Sequence, residues 1–268
     1  MNSQVISVYN KKGGVGKTTT SIVIGSILAS TYQKKVILID LDMQGDMTTG
    51  MKIPEGNQNH TIWNSLFEED KLLADKIHDN FIVVHGDPRM TDTGFMREIS
   101  NMKGTRLGNP NKTLGKLLNK YKEACDIIIL DCPPSADIVV QNALYASDYV
   151  LIPTKPHNFD VNGVYNALDL IEEFQEEENP GLQLLGVLFS QYDSRANLHQ
   201  VLKEKTNADL EGKVFRTHIR QNAKLQEMTT LAKDANEFME ELKNDKKAFL
   251  GYEDYSALVE EILERIQL

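Results

Sequence analysis

The segment Lys12-Gly13-Gly14-Val15-Gly16-Lys17-Thr18-Thr19 constrains this chain more than any other. It follows an aliphatic run, Val5–Tyr9, and opens a helical pattern, Thr18–Ser30, so it reads as a strand-to-helix turn. Glycines at such a turn let successive N–H groups curl around phosphate oxygens, and the helix N-terminus adds positive potential. Lys17 is expected to reach the β- and γ-phosphates of ATP, and the Thr18 hydroxyl to bind Mg²⁺. The whole turn, Lys12, Gly13, Gly14, Val15, Gly16, Lys17, Thr18 and Thr19, is the candidate nucleotide-binding set. Lys11 stands where the generic loop has its first glycine, and Lys12 adds a second cation beside the glycine pair. That cation can act on its own nucleotide or on a partner subunit's. In trans it would resemble an arginine finger, worth about 10³–10⁵ in rate in known cases.

Aliphatic runs alternate with helical patterns along the chain. Strands are expected at Val5–Tyr9, Val36–Asp40, Phe81–Val84, Ile127–Asp131, Tyr149–Ile152, Leu184–Phe189 and Lys213–Phe215. Helices are expected at Thr18–Ser30, Lys112–Glu123, Ala136–Ala146, Val161–Gln175 and Leu198–Thr206. The strands are apolar on both faces, which implies an α/β fold: a doubly wound, mostly parallel sheet flanked by helices, with ligands at the strands' carboxyl ends. No repeat or low-complexity linker divides the 268 residues, so one domain is expected over 1–268. Its tail, from about 234 to 268, shows Tyr255, Leu258, Val259, Ile262, Leu263 and Ile266 at helical spacing, a stripe suited to docking on that domain. His85–Asn111, rich in glycine and proline, reads as a long irregular stretch.

Two acidic strand ends complete the chemistry. Asp40 ends the second strand and Asp42 lies just beyond it, where carboxylates can order Mg²⁺-bound waters and the attacking water. Ile127–Leu130 ends in Asp131, suited to hold Mg²⁺ directly or through water. Metal contacts are thus expected from Thr18, Asp42 and Asp131, and catalysis from Lys12, Lys17 and Asp42.

These motifs resemble the ParA/MinD ATPases with a deviant Walker A loop, and most closely the ParA/Soj branch that partitions plasmids and chromosomes. The resemblance runs from Gln4 to about Glu227. Its first switch usually reads Asp-x-Asp-Pro-Gln-Gly-Asn, where Met43 and Asp46 replace the proline and asparagine here; Asp42 then matches the water-positioning residue. Cys132-Pro133-Pro134 resembles the second switch, and Gln191–Leu198 a Tyr-Asp-Ser-Arg-Thr-Asn-Leu segment. By position the Ser190–Tyr192 turn edges the adenine, making Gln191 and Tyr192 nucleotide contacts. Ile219–Glu227 resembles Ile-Pro-Arg-Asn-Val-Arg-Leu-Ser-Glu, with Arg220 at the proline. The resemblance further implies a homodimer closed by MgATP, Lys12 reaching across to the partner's phosphates, slow hydrolysis, and acceleration by a ParB-type centromere-binding protein. With the first strand expected at Val5, the N-terminal helix-turn-helix of longer plasmid relatives is not expected.

Charge weighs on the output. The net charge of −10 argues against a protein coated in positive potential. Between Arg195 and Lys233, however, eight Lys/Arg stand against four acids. Read alone, such a stretch is an ordinary solvated face; the resemblance makes it a grip on non-specific double-stranded DNA, with Arg195, Lys203, Arg220, Lys224 and Lys233 as contacts. A second basic stretch, Arg89–Lys122, carries no decided role. The alternative is a MinD-like positioning ATPase acting on a protein or membrane partner. That branch uses a basic amphipathic C-terminal helix, whereas Tyr252–Leu268 carries five acids and one base, which an anionic bilayer repels. Cys125 and Cys132 form no Cys-x-x-Cys pair, and no apolar stretch nears the roughly 18 residues of a membrane span. A cytoplasmic protein, nucleoid-associated in its ATP state and with no membrane partner, is expected.

Overall fold

The computed structural model describes residues 3–45, 47, 59–101, 110–230 and 235–268. Among them, seven strands form one sheet: β1 (Gln4–Val8), β2 (Val36–Asp40), β3 (Asp75–His78), β4 (Phe81–Val84), β5 (Ile127–Asp131), β6 (Tyr149–Thr154) and β7 (Gln183–Phe189). Their order is β3-β4-β2-β5-β1-β6-β7. All pairs are parallel except β3 with β4. The sheet is therefore the doubly wound, mostly parallel one that the alternation predicts. Every residue of β2 and β5 is buried, which explains why those runs show no polar alternation. The chain leaves β1 toward β2 on one side and later fills β6 and β7 on the other. The turn after β1 thus emerges at a topological switch point, where such sheets bind ligands.

The helices are α1 (Lys17–Ser30), α2 (Asp92–Asn101), α3 (Thr113–Asn119), α4 (Ile138–Ala146), α5 (Asn158–Glu177), α6 (Asn197–Asp209), α7 (Ala223–Thr230), α8 (Ala235–Asn244) and α9 (Phe249–Ile266). On one face, Ile22, Ile27 and Leu28 of α1 pack with Tyr255, Leu258, Val259 and Ile262 of α9. On the other, Leu114, Val139, Ala143, Val164 and Ile171 cover the sheet from α3, α4 and α5. The tail's apolar stripe is thus buried inside, apart from the half-buried Leu263.

Several elements differ from expectation, each for a local reason. The stretch 85–111 is not irregular throughout, because α2 occupies 92–101. Gly94 lies inside it: a Cβ there would collide with the Arg89 carbonyl and stand 2.9 Å from Thr91 Oγ1. That glycine serves close packing, not chain reversal. Edge strand β3, sequence DKIH, escapes pattern reading because it is short and half-exposed, with a bulge between Lys76 and His78. Expected strand Lys213–Phe215 makes a single bridge, Val214 to Val187 of β7. Expected helix Lys112–Glu123 shortens to α3, preceded by a 3₁₀ turn at Pro110–Lys112. α4 begins only at Ile138, where Asp137 Oδ1 accepts from the N–H groups of Val139 and Val140 at 3.1 and 3.4 Å.

Candidate nucleotide site

The turn after β1 is pinned at both ends before any ligand arrives. Asn10 Nδ2 donates to the Pro153 carbonyl of β6 at 2.8 Å, and its Oδ1 accepts from Lys12 N at 2.9 Å. At the far end Ser190 Oγ, just past β7, donates to the Val15 carbonyl at 2.7 Å. Between these anchors Gly14 and Gly16 take φ of +71° and +94°, which other residues reach only with strain. Gly16 is the N-cap of α1 and offers no side chain to its first amides, so the cap itself does not compete with an anion for them. A Cβ at Gly13 would meet nothing within 4 Å, so the cradle is open there.

Lys17 starts α1 and is 7% exposed. Its Nζ donates to the Lys12 carbonyl at 3.2 Å, folding the lysine back under the turn. Burial lowers its proton affinity, while Asp131, Cys132 and Asp42 pull the other way. Asp131, at the end of β5, is 1% exposed. Its Oδ1 accepts from Ser21 Oγ at 3.0 Å, and the Thr18 hydroxyl bonds it as well. Burial raises the Asp131 proton affinity, and the hydrogen bonds from Thr18 and Ser21 oppose it. A buried carboxylate beside a hydroxyl, with one lysine for counter-charge, is a hard-oxygen pair suited to Mg²⁺ with phosphate oxygens and water completing the shell. Among the described residues no cluster of three His, Cys, Asp or Glu forms a metal cage.

Asp42 sits in a tight turn past β2. Its N donates to Asp40 Oδ1 at 3.0 Å, its Oδ1 accepts from Gln44 N at 3.0 Å, and its carbonyl accepts from Gly45 N at 3.1 Å. Gly86, past β4, presses on this turn: a Cβ there would stand 2.7 Å from the Asp42 carbonyl oxygen. Asp46 lies outside the described residues. Lys12 points elsewhere. Its side chain is 51% exposed, and its Nζ lies 3.9 Å from Asp160 Oδ1 at the start of α5.

Of the two expected adenine contacts, the structure places one at the loop. Gln191, with φ of +52°, lines a cleft with Gly16 and Thr19. The Tyr192 ring turns away, packing 4.2 Å from His218 in a separate pocket with Lys203 and Arg216.

Acids from the tail neutralise three cations of the basic stretch. Arg220 pairs with Asp254 at 2.6 Å, Lys224 with Glu241 at 2.8 Å, and Arg216 with Glu264 at 2.7 Å. Lys203 is half-buried and donates to the Arg216 carbonyl at 2.6 Å, with burial lowering its proton affinity. Arg195 stands out at 91% exposure, paired with Asp193 in the same turn at 3.0 Å. Lys233 lies outside the described residues. The second basic stretch is similarly engaged where described: Arg89 bonds Asp87 and Glu68, and Lys120 pairs with Asp70 at 2.8 Å. Lys103 and Arg106 lie outside the described residues.

Asn10, Ser21, Asp160 and Gly86 were not legible as site residues. Each acts through a partner at least 44 residues away or through a backbone contact, and no local spacing announces either.

A glycine cradle at the switch point of a parallel sheet, with a buried lysine and a strand-end aspartate facing it, defines a P-loop nucleoside-triphosphate hydrolase. Comparison with known proteins narrows the class. The family described as AAA domain (AAA_31) matches residues 3–184. The chromosome partitioning protein ParA of Myxococcus xanthus is 31% identical over 266 residues, covering 98% of this chain and 88% of that one. The chromosome-partitioning ATPase Soj of Thermus thermophilus is 32% identical over 264 residues, covering 98% and 96%. Among solved structures, cobyrinic acid a,c-diamide synthase of Mycobacterium smegmatis with bound ATP analog and magnesium superposes with a TM-score of 0.74 at 25% identity, covering 96% of this chain and 94% of that one. The chain belongs to the ParA/Soj-type partitioning ATPases.

Proposed function

We propose that this protein is an ATP-switched DNA segregation ATPase: MgATP closes two copies face to face, and the closed dimer holds non-specific DNA until hydrolysis releases it. ATP is its substrate and Mg²⁺ its metal. The Gly13–Thr19 amides and Lys17 would hold the phosphates. Thr18 and Asp131 would hold Mg²⁺, which supplies positive charge at the β- and γ-phosphate oxygens. Asp42 would orient the attacking water, positioned by its own turn and by Gly86.

The observation that carries the dimer is Lys12. A cation directly on the phosphate loop, half-exposed and paired only at 3.9 Å with Asp160 of its own chain, is not needed by its own cradle, where Lys17 already sits. Its reach suits a second copy's phosphates. Arg195 is the best-exposed described cation of the expected DNA set, and dimerisation doubles each such contact, so binding rises steeply although each copy grips poorly. The output partner expected is a ParB-type centromere-binding protein that accelerates hydrolysis, with the ATP form on the nucleoid of the cytoplasm. The rival, a MinD-like action on membrane, meets an obstacle in α9, whose apolar stripe is buried against α1.

The test is binding to random-sequence duplex DNA with ATP, with ADP and without nucleotide, at two salt concentrations. Salt-sensitive binding confined to ATP is the expected result. No binding in any state would remove DNA as the output and leave a partitioning ATPase acting on protein.

A further inference from the structure

A nucleotide held by the Gly13–Thr19 amides has a direction. Lys17, Asp42 and Asp131 gather at the β2–β5 end, where the terminal phosphate belongs. The sugar and base must leave on the β7 side. There a cleft opens, lined by Gly16, Thr19, Gln191, Arg220, Asn222 and Tyr255. The C-terminal helix supports it directly: Tyr255 of α9 shares a 3.1 Å hydrogen bond with Thr20, one residue past the loop.

Arg220 is unusual in this cleft. Its Nε donates to both oxygens of Asp254 at 3.0 Å, its Nη2 donates to Asp254 Oδ1 at 2.6 Å, and Nη2 also reaches the Leu250 carbonyl at 3.3 Å. The same carboxylate accepts from Arg220 N at 2.9 Å. Glu253 Oε2 stands 3.7 Å from the same Nη2. These contacts engage the Nε–Nη2 side of the guanidinium and fix its plane, and the side chain remains 41% exposed. A guanidinium clamped at its edge can still offer a flat face, and such faces stack on aromatic rings. A surface arginine serving duplex phosphates has the opposite need: free N–H donors on a mobile stem.

We infer that Arg220 is a nucleotide contact: its guanidinium, clamped by Asp254 of the C-terminal helix, stacks on the purine base in the cleft between the phosphate loop and α9, and does not serve DNA. Asp254 is its positioning residue, and the C-terminal helix thereby belongs to the ATP site. The inference rests on ATP binding at the loop and is independent of the DNA reading.

The test compares ADP with inorganic tripolyphosphate, which has no base, as competitors for a fluorescent ADP analogue. Arg220→Ala should weaken ADP by about three- to thirty-fold, the range of an Arg–aromatic contact, and leave tripolyphosphate unchanged. Arg220→Lys, which keeps charge but loses the plane, should weaken ADP nearly as much, and Asp254→Asn should weaken it by less. Three results would overturn the inference: unchanged ADP affinity, equal losses for ADP and tripolyphosphate, or intact ADP binding with lost DNA binding. Should Arg220→Ala fail to fold by circular dichroism, Arg220→Lys and Asp254→Asn carry the same comparison. None of the ADP arms needs the protein to bind DNA, so failure of the DNA reading would show separately.

Discussion

Gly86 occupies a place where one added methyl group would disturb the Asp42 turn. It touches the Asp42 turn from behind, where a methyl group would stand 2.7 Å from a carbonyl oxygen and 3.0 Å from the Asp40 carboxylate. Neither neighbour yields easily, because Asp40 is fully buried and Asp42 is tied by three hydrogen bonds. Gly86→Ala must therefore move the turn. If Asp42 positions water, displacement of about 1 Å costs up to about a hundred-fold in rate. The expected outcome is kcat lowered by roughly ten- to a hundred-fold with ADP affinity unchanged, since the Gly13–Thr19 cradle is separate. Steady-state ATPase assays with ADP titration check it. Wild-type kcat in that variant would remove Asp42 from the water's position.

At the scale of elements, the tail is held to the body by packing and by charge. Ile262 is fully buried between α9 and the sheet face under α1. Ile262→Ala is expected to cost about 2–5 kcal/mol, seen as a melting temperature several degrees lower. An unchanged melting temperature would mean that α9 contributes nothing to the cooperative fold. Titration adds a second check. Burial lowers the proton affinity of His85 and His218, against the pull of Asp75 on the first and Asp254 on the second. As pH falls below about 6.5 the unfolded chain takes up protons that the folded imidazoles resist, so stability present at neutral pH is lost on acidification. The buried carboxyls Asp87 and Glu261 sit below the ordinary carboxylate range, so their losses begin only near pH 4 and lower. Asp131, pushed up to about 6 chiefly by burial, works the other way across that window, because its folded carboxyl takes up a proton that the unfolded chain does not. The histidine share is therefore read by comparison: the melting temperature of the parent should drop more between about pH 7 and pH 5 than that of His218→Gln. Equal drops would remove His218 from the stability balance.

Much of this architecture was legible, and the reasons are physical. Parallel strands buried on both faces, such as Ile127–Asp131, announce themselves as aliphatic runs, and the glycine turn announces what it binds. Edge strand β3 did not, because half its surface meets water. Charge was the poorest guide. A basic surplus counted along Arg195–Lys233 takes no account of Glu241, Asp254 and Glu264, which come from the following helices and sit on those same cations. Sequence-local charge describes a surface only where no distant segment covers it.

For the whole molecule, the described cations that meet tail acids, Arg216, Arg220 and Lys224, are held by that tail, whereas Lys11 and Lys12 stand exposed at the phosphate loop. On the proposed reading Lys12 leaves Asp160 for a partner's phosphates, and the pair it leaves is loose, at 3.9 Å with the lysine half in water. A triphosphate on a second copy offers several charges at once and outcompetes a single carboxylate. Assembly should thus depend on Lys12 while nucleotide binding depends on Lys17. With Mg²⁺ and a non-hydrolysable ATP analogue, the parent is expected to elute as a dimer in size-exclusion chromatography with light scattering. Lys12→Ala should remain monomeric yet bind the analogue, and Lys17→Ala should lose the analogue and the dimer together. A Lys12→Ala protein that dimerises as fully as the parent would place the cation outside the interface, and the switch would have to be sought on another face of the sheet.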